Sequence, residues 1–129
     1  MLNDPLAAAL SKILNAERIG KKEVVVKPAS KIIKKALELM NDNNFVGVYE
    51  EASNDKGGSL KVNLIGNINK CGVIKPRFST KHNEFKKWEK RYLPADNFGM
   101  ILVTTPLGVM THSDAKKKKT GGKLLAYCY

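Results

Sequence analysis

The stretch FGMILVT, residues 98–104, predicts a buried strand, because an uncharged apolar run of this length is typical of strands in a protein core. The strand ends at Thr104-Thr105-Pro106, where the proline favours an extended conformation for the residue before it. Residues 111–119 then predict a short helix that ends at Gly121-Gly122. Residues 123–129 (KLLAYCY) predict a final strand with alternating character.

The amino-terminal half begins with two predicted helices. Asp4 and Pro5 suit the cap and the first position of a helix that ends before Gly20 and whose inner face is Leu6, Leu10, Ile13, Leu14 and Glu17. Residues 23–27 (EVVVK) predict a short, mostly buried strand. Ser30 caps a second helix, broken at residues 41–44, whose inner face is Ile33, Ala36, Leu37 and Met40.

Strands are expected to dominate the remainder. Residues 45–51 and 60–65 flank the turn signal Asn-Asp-Lys-Gly-Gly at 54–58, which predicts a hairpin. Residues 73–78 are expected to be extended, and residues 81–91 to form either a helical turn or an irregular excursion. The predicted fold is α/β of the α+β kind, with an amino-terminal helix–strand–helix–hairpin domain at residues 1–66 and a mainly β domain with one short helix at residues 67–129.

The composition is that of a folded protein without a membrane span. The chain has 129 residues, 43% of them hydrophobic, and no apolar run approaches the length that a membrane helix needs. Residues 1–14 lack the pattern of a secretory signal, so a cytoplasmic location is expected. Cys71 and Cys128 are expected to be reduced, and together with His82 and His112 they match no zinc spacing, so neither a metal nor another cofactor is expected.

Charge narrows the class of partner. The chain carries 23 Lys and Arg against 12 Asp and Glu, a net +11 that suits a polyanion such as nucleic acid or an anionic membrane. Residues 1–64 hold 10 basic and 8 acidic side chains, net +2, whereas residues 65–129 hold 13 basic and 4 acidic, net +9. A polyanion is therefore expected to meet mainly the carboxy-terminal half.

Residues 104–129 combine the groups that RNA contact requires. Thr104 and Thr105 offer hydroxyls where the chain leaves the sheet, Gly108 allows a sharp turn, and Gly121 and Gly122 bring bare backbone to the same end. Thr111 and Asp114 fit a capping box, and the cations of the predicted helix end are Lys116, Lys117, Lys118 and Lys119. The alternative is an ordinary strand–turn–helix–strand with a solvated lysine run.

A second basic region interleaves cations with aromatic rings. Lys70, Lys75, Arg77, Lys86, Lys87, Lys90 and Arg91 surround Phe85, Trp88 and Tyr92, a mixture that suits phosphate pairing and base stacking. The alternative is that Phe85 and Trp88 do not stack on bases and are instead core or subunit-contact residues. In the amino-terminal half, Ser30 and Lys31 offer a helix start with cations nearby, which is an anion site or a simple cap.

Catalytic motifs are weak. His112 is flanked by Thr111, Ser113 and Asp114, but neighbours at a helix start point in different directions and do not form a triad. The glycine pairs lack the lysine–serine spacing of a phosphate-binding loop. The chain is therefore predicted to be a non-enzymatic RNA-binding protein with no small-molecule substrate.

Several blocks, in order, resemble ribosomal protein S-eight of the small subunit. The most specific are TTPLGVM at residues 104–110, followed by the short helix and GGKLLAY at residues 121–127. DPLA at 4–7 and KPASK at 27–31 resemble the starts of the family's first two helices. NKCGVIKPRF at 69–78 and RYLPA at 91–95 resemble its archaeal and eukaryotic branch.

The resemblance implies two small domains, primary binding to the central domain of small-subunit ribosomal RNA, a role in subunit assembly, and neighbouring small-subunit ribosomal proteins as partners. It implies RNA contacts at Thr104, Thr105, Gly108 and Val109 and at Gly121 and Gly122, with backbone contacts at Asp4, Ser30 and Lys31. Some members act on their own messenger, so a free RNA-binding regulator is the alternative function.

One position departs from the family pattern. Pro106 stands where the family usually has a third Ser or Thr, and Leu107 replaces a typically small or polar residue. Proline supplies neither a hydroxyl nor an amide hydrogen, so the resemblance implies that the grip of this loop rests on Thr104, Thr105 and the glycines.

Overall fold

The computed structural model describes residues 5–27, 30–52, 58–75, 77–95 and 98–129. Helices and antiparallel sheets alternate in a mixed α+β fold, as predicted. The chain divides into two compact units, residues 1–70 (unit 1) and residues 71–129 (unit 2). The domain boundary predicted between residues 66 and 67 stays a prediction. No helix in the described part of the chain is long and apolar enough to cross a membrane.

Unit 1 packs two helices with a three-stranded sheet. Its elements are α1 (Pro5–Arg18), β1 (Glu23–Val26), α2 (Lys31–Asp42), β2 (Val46–Ala52) and β3 (Ser59–Leu64). The strand order is β1-β3-β2, with both neighbours of β3 antiparallel to it. The helix predicted to start at Pro5 is confirmed, whereas Asp4 and most of the predicted turn at 54–58 lie outside the described residues.

Local signals predicted the helices well. The Ser30 hydroxyl caps α2 by accepting a 3.3 Å hydrogen bond from the Ile33 amide, and the predicted inner face of α2 is buried. In α1 the inner face is rotated slightly from the prediction, because Ala9 and Ala16 are buried while Leu14 is only half-buried. Gly20 follows the helix with φ +79°, the left-handed conformation typical of a helix stop.

The prediction that residues 23–27 form a mostly buried strand was wrong about burial. β1 lies at the edge of the sheet and alternates, with Val24 and Val26 buried and Val25 40% exposed. An edge strand that packs one face inward leaves every second side chain in solvent. The run of three valines gave no sign of this alternation.

Unit 2 is built around its last strand. Its elements are β4 (Cys71–Val73), β5 (Ser79–Thr80), α3 (Phe85–Tyr92), β6 (Met100–Thr105), β7 (Gly108–Thr111), α4 (His112–Lys117) and β8 (Gly122–Cys128). β8 pairs with β4 on one side and β6 on the other, β7 follows β6, and β5 pairs with the start of β8. The predicted core strand is confirmed from Met100 onward, since β6 is buried at every position except Thr104, which is half-buried; Phe98, the first predicted residue, lies outside β6 and is 49% exposed.

Three expectations for unit 2 were wrong in detail. The strand expected at 73–78 is β4 instead, which ends at Val73. Gly108 and Val109, expected to lie in a loop, belong to β7, which extends to Thr111, the residue predicted to cap the following helix. β8 does not alternate: Leu124, Leu125 and Ala126 are all buried, because a register shift against β6 inserts an extra residue that turns consecutive side chains inward.

The region left open at 81–91 contains a helix, α3. Phe85 and Trp88 lie on its buried face, 0% and 5% exposed, and pack with residues of β6, β8 and α4. The core interpretation of these two aromatics is therefore correct. Cys71 and Cys128 are buried and lie opposite each other in the register of β4 and β8.

Candidate nucleic-acid interface

The hydroxyl loop predicted after β6 is a tight hairpin. Thr105 and Gly108 pair at the ends of β6 and β7, and Pro106 and Leu107 form the two-residue turn between them. Gly108 has φ +121°, a conformation that side-chain-bearing residues rarely adopt. The turn needs a glycine at this position, which agrees with the prediction of a sharp turn.

The Thr105 hydroxyl lies inside this turn. It donates a 2.7 Å hydrogen bond to the Gly108 carbonyl and accepts a 3.1 Å bond from the Leu107 amide. The residue is 9% exposed. A hydroxyl has one hydrogen and two lone pairs, so only one acceptor position of Thr105 is left for a partner. Its main action is to set the shape of the hairpin.

Thr104 occupies a different environment from its neighbour. Its backbone pairs with Val109 of β7 on one side and with Lys123 of β8 on the other, which holds it in the middle of the sheet. Its side chain is half-buried, as is that of Val109, while Lys123 is exposed. Thr104 therefore stands at a half-buried position fixed within the sheet, and its partner in β8, the exposed Lys123, is a cation that the sequence prediction had not included.

The glycine pair is required by the chain itself. A Cβ on Gly122 would stand 2.1 Å from the Thr104 carbonyl oxygen, and a Cβ on Gly121 would stand 2.3 Å from the Thr80 carbonyl oxygen. Real Cβ atoms essentially never come so close to backbone atoms. The predicted close approach exists, but the backbone that approaches is the protein's own: Gly122 lies against β6 of the hairpin, and Gly121 lies against β5.

The lysine run begins in α4 and continues beyond it. The Thr111 hydroxyl caps the helix by accepting a 3.3 Å bond from the Asp114 amide, as predicted. The helix ends at Lys117, two residues before the predicted end; Lys118 is its cap and Lys119 has φ +53°. All four lysines are exposed, so positive charge surrounds the end of the helix.

A buried polar cluster that sequence reasoning missed joins α3 to α4. The Glu89 carboxylate is 5% exposed, lies 3.1 Å from Nε2 of His112 and pairs with the Lys116 ammonium. Nδ1 of His112 accepts a 3.1 Å hydrogen bond from the Ile101 amide. Because Nδ1 is an acceptor, the imidazole is neutral with its proton on Nε2, which donates to Glu89.

Burial lowers the pKa of His112, while the Glu89 carboxylate raises it and Lys116 lowers it. At 2% exposure this histidine cannot meet a substrate, so it serves the fold. The spacing of His112 and Lys116 does place both on one helix face, a signal that was available. Nothing local to Glu89 could have indicated the partnership.

The remaining predicted contact residues lie elsewhere. Ser30 and Lys31 stand at the start of α2 in unit 1, where the Ser30 oxygen is engaged as the cap and the Lys31 side chain is exposed. Lys75 and Arg77 are exposed between β4 and β5. Asp4 lies outside the described residues. Unit 2 brings together Thr104, Thr105, Gly108, Val109 and Gly122; Gly121 abuts β5.

A comparison with known protein families decides the class. The family described as Ribosomal protein S8 matches residues 4–129, which is nearly the whole chain. This chain belongs to the Ribosomal protein S8 family. Its members are structural components of the small ribosomal subunit that bind ribosomal RNA and other ribosomal proteins in the machinery of translation. The resemblance carried by TTPLGVM and GGKLLAY is thereby confirmed at the level of the family.

Among the described residues there is no group of three or more His, Cys, Asp or Glu side chains that could hold a metal ion. The family is structural rather than enzymatic.

Proposed function

We propose that this S8 protein is a primary binder of the central domain of small-subunit ribosomal RNA and supports assembly of the subunit. The observation that carries the proposal is the junction at Thr104, which lies between β7 and β8 with the exposed Lys123 beside it. Groups fixed in a sheet lose little conformational entropy on binding, so a hydroxyl held there suits the recognition of an irregular RNA helix.

The proposed interface has two kinds of contact. Thr104, Gly108 and Val109 meet the sugars and base edges, with Thr105 and Gly122 holding the hairpin in place and Gly121 fitting the start of β8 against β5. Phosphates are neutralised by the cations Lys75, Arg77, Lys116, Lys117, Lys118 and Lys119. Unit 1 contributes contacts to the RNA backbone through Asp4, Ser30 and Lys31.

The tip of the hairpin is where this chain departs from its family. Pro106 has no amide hydrogen, and Leu107 is 65% exposed, so the turn presents an apolar surface rather than a hydroxyl. We propose that RNA packs against this surface and that Thr104 supplies the hydrogen bonding. The protein is further proposed to be of the archaeal and eukaryotic type, to act in the cytoplasm without catalytic activity, and to have its domain boundary after residue 66.

Binding to defined RNAs tests the proposal. The full chain should form a tight one-to-one complex with a central-domain fragment and bind an arbitrary duplex of equal length weakly. Equal affinity for the two RNAs would sink the proposal. Sedimentation of the protein mainly outside ribosomal particles, with tight binding to its own messenger, would favour the free regulator instead.

A further inference from the structure

Five aromatic rings of unit 2 form a continuous row. Neighbouring ring centroids are 4.8 Å apart for Phe78 and Trp88, 6.4 Å for Trp88 and Tyr92, 5.6 Å for Tyr92 and Tyr127, and 6.3 Å for Tyr127 and Tyr129. Neighbouring planes are tilted by only 23° to 27°. All the rings except that of Trp88 are half-buried, so the row, here called the aromatic row, keeps part of its surface in solvent.

Cations of α3 lie directly on the aromatic row. The Arg91 guanidinium carbon is 5.4 Å from the centroid of Phe78, 5.8 Å from Trp88 and 5.6 Å from Tyr92. The Lys87 ammonium is 4.7 Å from the Trp88 centroid. Stacking engages the faces of a guanidinium and leaves its N–H edges available for the oxygens of a phosphate.

The solvent face of α3 is cationic throughout. Lys86, Lys87, Lys90 and Arg91 are exposed, and among the described residues none of them forms a salt bridge. The one carboxylate within α3, Glu89, points the other way and is buried with His112 and Lys116. In α3 the acidic side chain is therefore buried and the basic side chains are exposed.

We propose that the aromatic row and the cations of α3 form a second RNA-binding surface that takes unpaired nucleotides. Phosphates meet Arg91 and the lysines, and bases stack on the half-buried tyrosines, since single-stranded RNA is held by cationic grooves lined with aromatic rings. The aromatic rings and Arg91 are also residue types that protein interfaces favour, but the three exposed lysines beside them are depleted in interface cores, so a protein partner fits less well. This surface shares no residue with the hairpin interface and does not depend on the proposed central-domain target.

The chain contains a reporter for this surface. Trp88 is its only tryptophan and lies within the aromatic row. Titration of the full protein with a short oligouridylate should therefore quench tryptophan fluorescence to saturation. Changing Lys86, Lys87 and Lys90 together to Gln should weaken this binding about tenfold and lower the salt slope by about 2, because fewer counterions are released. Adding Arg91→Ala to the triple variant should weaken oligouridylate binding further while leaving the far-ultraviolet circular dichroism unchanged.

A matched loss of charge elsewhere is the control. Lys12, Lys21 and Lys22 are exposed in unit 1, and their joint change to Gln should leave the fluorescence titration within about twofold of the parent protein. Equal losses in the two triple variants, or no response of Trp88 to RNA, would overturn the proposal. The proposal would also be overturned if subunits assembled with the α3 triple variant lacked a neighbouring protein while the variant still bound RNA as tightly as the parent protein. Failure of the central-domain fragment to bind, with the fluorescence response preserved, would refute the proposed function and leave this surface standing.

Discussion

The β6–β7 hairpin and the lysine run after α4 hold their polar groups in opposite ways. In the hairpin, the Thr105 hydroxyl is bonded within the turn and Gly122 presses against the Thr104 carbonyl. In the run, Lys117, Lys118 and Lys119 extend into solvent, and Lys116 is the one with a buried partner among the residues that the structure describes. One region is defined by contacts inside the protein and the other by charge outside it.

The contrast distinguishes polar groups that are held in a fixed position from cations that act through their electrostatic attraction. A hydroxyl fixed by internal bonds loses little entropy when it meets RNA, and it discriminates because it cannot move to suit a wrong partner. Exposed lysines neutralise phosphates of any sequence and contribute an affinity that falls with salt. Mutations that remove internal bonds of the hairpin should therefore change stability and specificity together. Mutations of Lys117, Lys118 and Lys119, which extend into solvent, should change the salt dependence alone.

The largest effect is expected from Gly122→Ala. The new methyl would overlap the Thr104 carbonyl, and the backbone of a central strand pair cannot move aside, so the free energy of unfolding should fall by about 3 kcal/mol. Urea denaturation measures the change. Gly108→Ala is the contrast: its φ of +121° is strained for alanine but nothing lies within 4 Å, so about 1–2 kcal/mol is expected. Equal losses would show that crowding at Gly122 is not what requires the glycine.

The next effect concerns the two threonines. Thr105→Val removes a hydroxyl that two backbone groups use, so stability should fall by about 1–2 kcal/mol and RNA affinity should fall with it. Thr104→Val should leave stability within about 0.5 kcal/mol and still weaken the cognate RNA by about 1 kcal/mol. Denaturation and filter binding on both variants check this, with Thr105→Ser as the control that keeps the hydroxyl. If Thr104→Val binds RNA normally, Thr104 lies outside the interface.

A smaller effect is expected from the buried cluster of Glu89, His112 and Lys116, which connects the lysine run to the sheet through the bond between His112 and the Ile101 amide. Burial lowers the pKa of His112 in the folded protein below the 6.5 of an ordinary imidazole. Below pH 6.5 the unfolded chain therefore takes up a proton that the folded chain refuses, and stability falls as the pH falls, by at most about 1.4 kcal/mol per pH unit. Denaturation between pH 7 and pH 5 measures it.

The two histidines of the chain provide the comparison for this window. His112→Asn should make the free energy of unfolding nearly independent of pH between pH 6.5 and pH 5, because no imidazole remains beside Glu89. His82→Asn, at an exposed histidine, should keep the loss unchanged. Constant stability across the window in the parent protein would contradict the neutral, buried state of His112.

What the sequence could predict follows the range of the interactions. The start of α1 at Pro5, the cap at Ser30 and the cap at Thr111 are local devices of three or four residues, and all were visible. The strand β7 was missed because four residues after a two-residue turn carry little periodicity of their own. The bulge in β8 was missed because only its pairing with β6 reveals the extra residue.

The candidate site shows the same limit. Thr104, Thr105 and the glycines were identified as residues that matter, but the reason given for Gly121 and Gly122 was the approach of RNA, whereas the nearest backbone is the protein's own. Glu89 and Lys116 are 27 residues apart, and neither position signals the other. Sequence patterns name the residue types that a site needs, while contacts between distant segments decide which of them face outward.

The smallest effect compares two adjacent lysines. Lys117 is exposed and forms no salt bridge among the described residues, whereas Lys116 is tied to Glu89. Lys117→Gln should lower the slope of log affinity against log salt by about 0.9 and leave the unfolding free energy unchanged, as expected for one lost phosphate contact. Lys116→Gln should instead lower stability by about 1 kcal/mol, because it leaves the buried Glu89 with His112 alone, and should change the slope less. Affinities measured from 50 to 200 mM salt decide between the two. Equal slopes for both variants would mean that Lys116 reaches the RNA as freely as Lys117, and that the division between internal geometry and external charge does not hold inside α4.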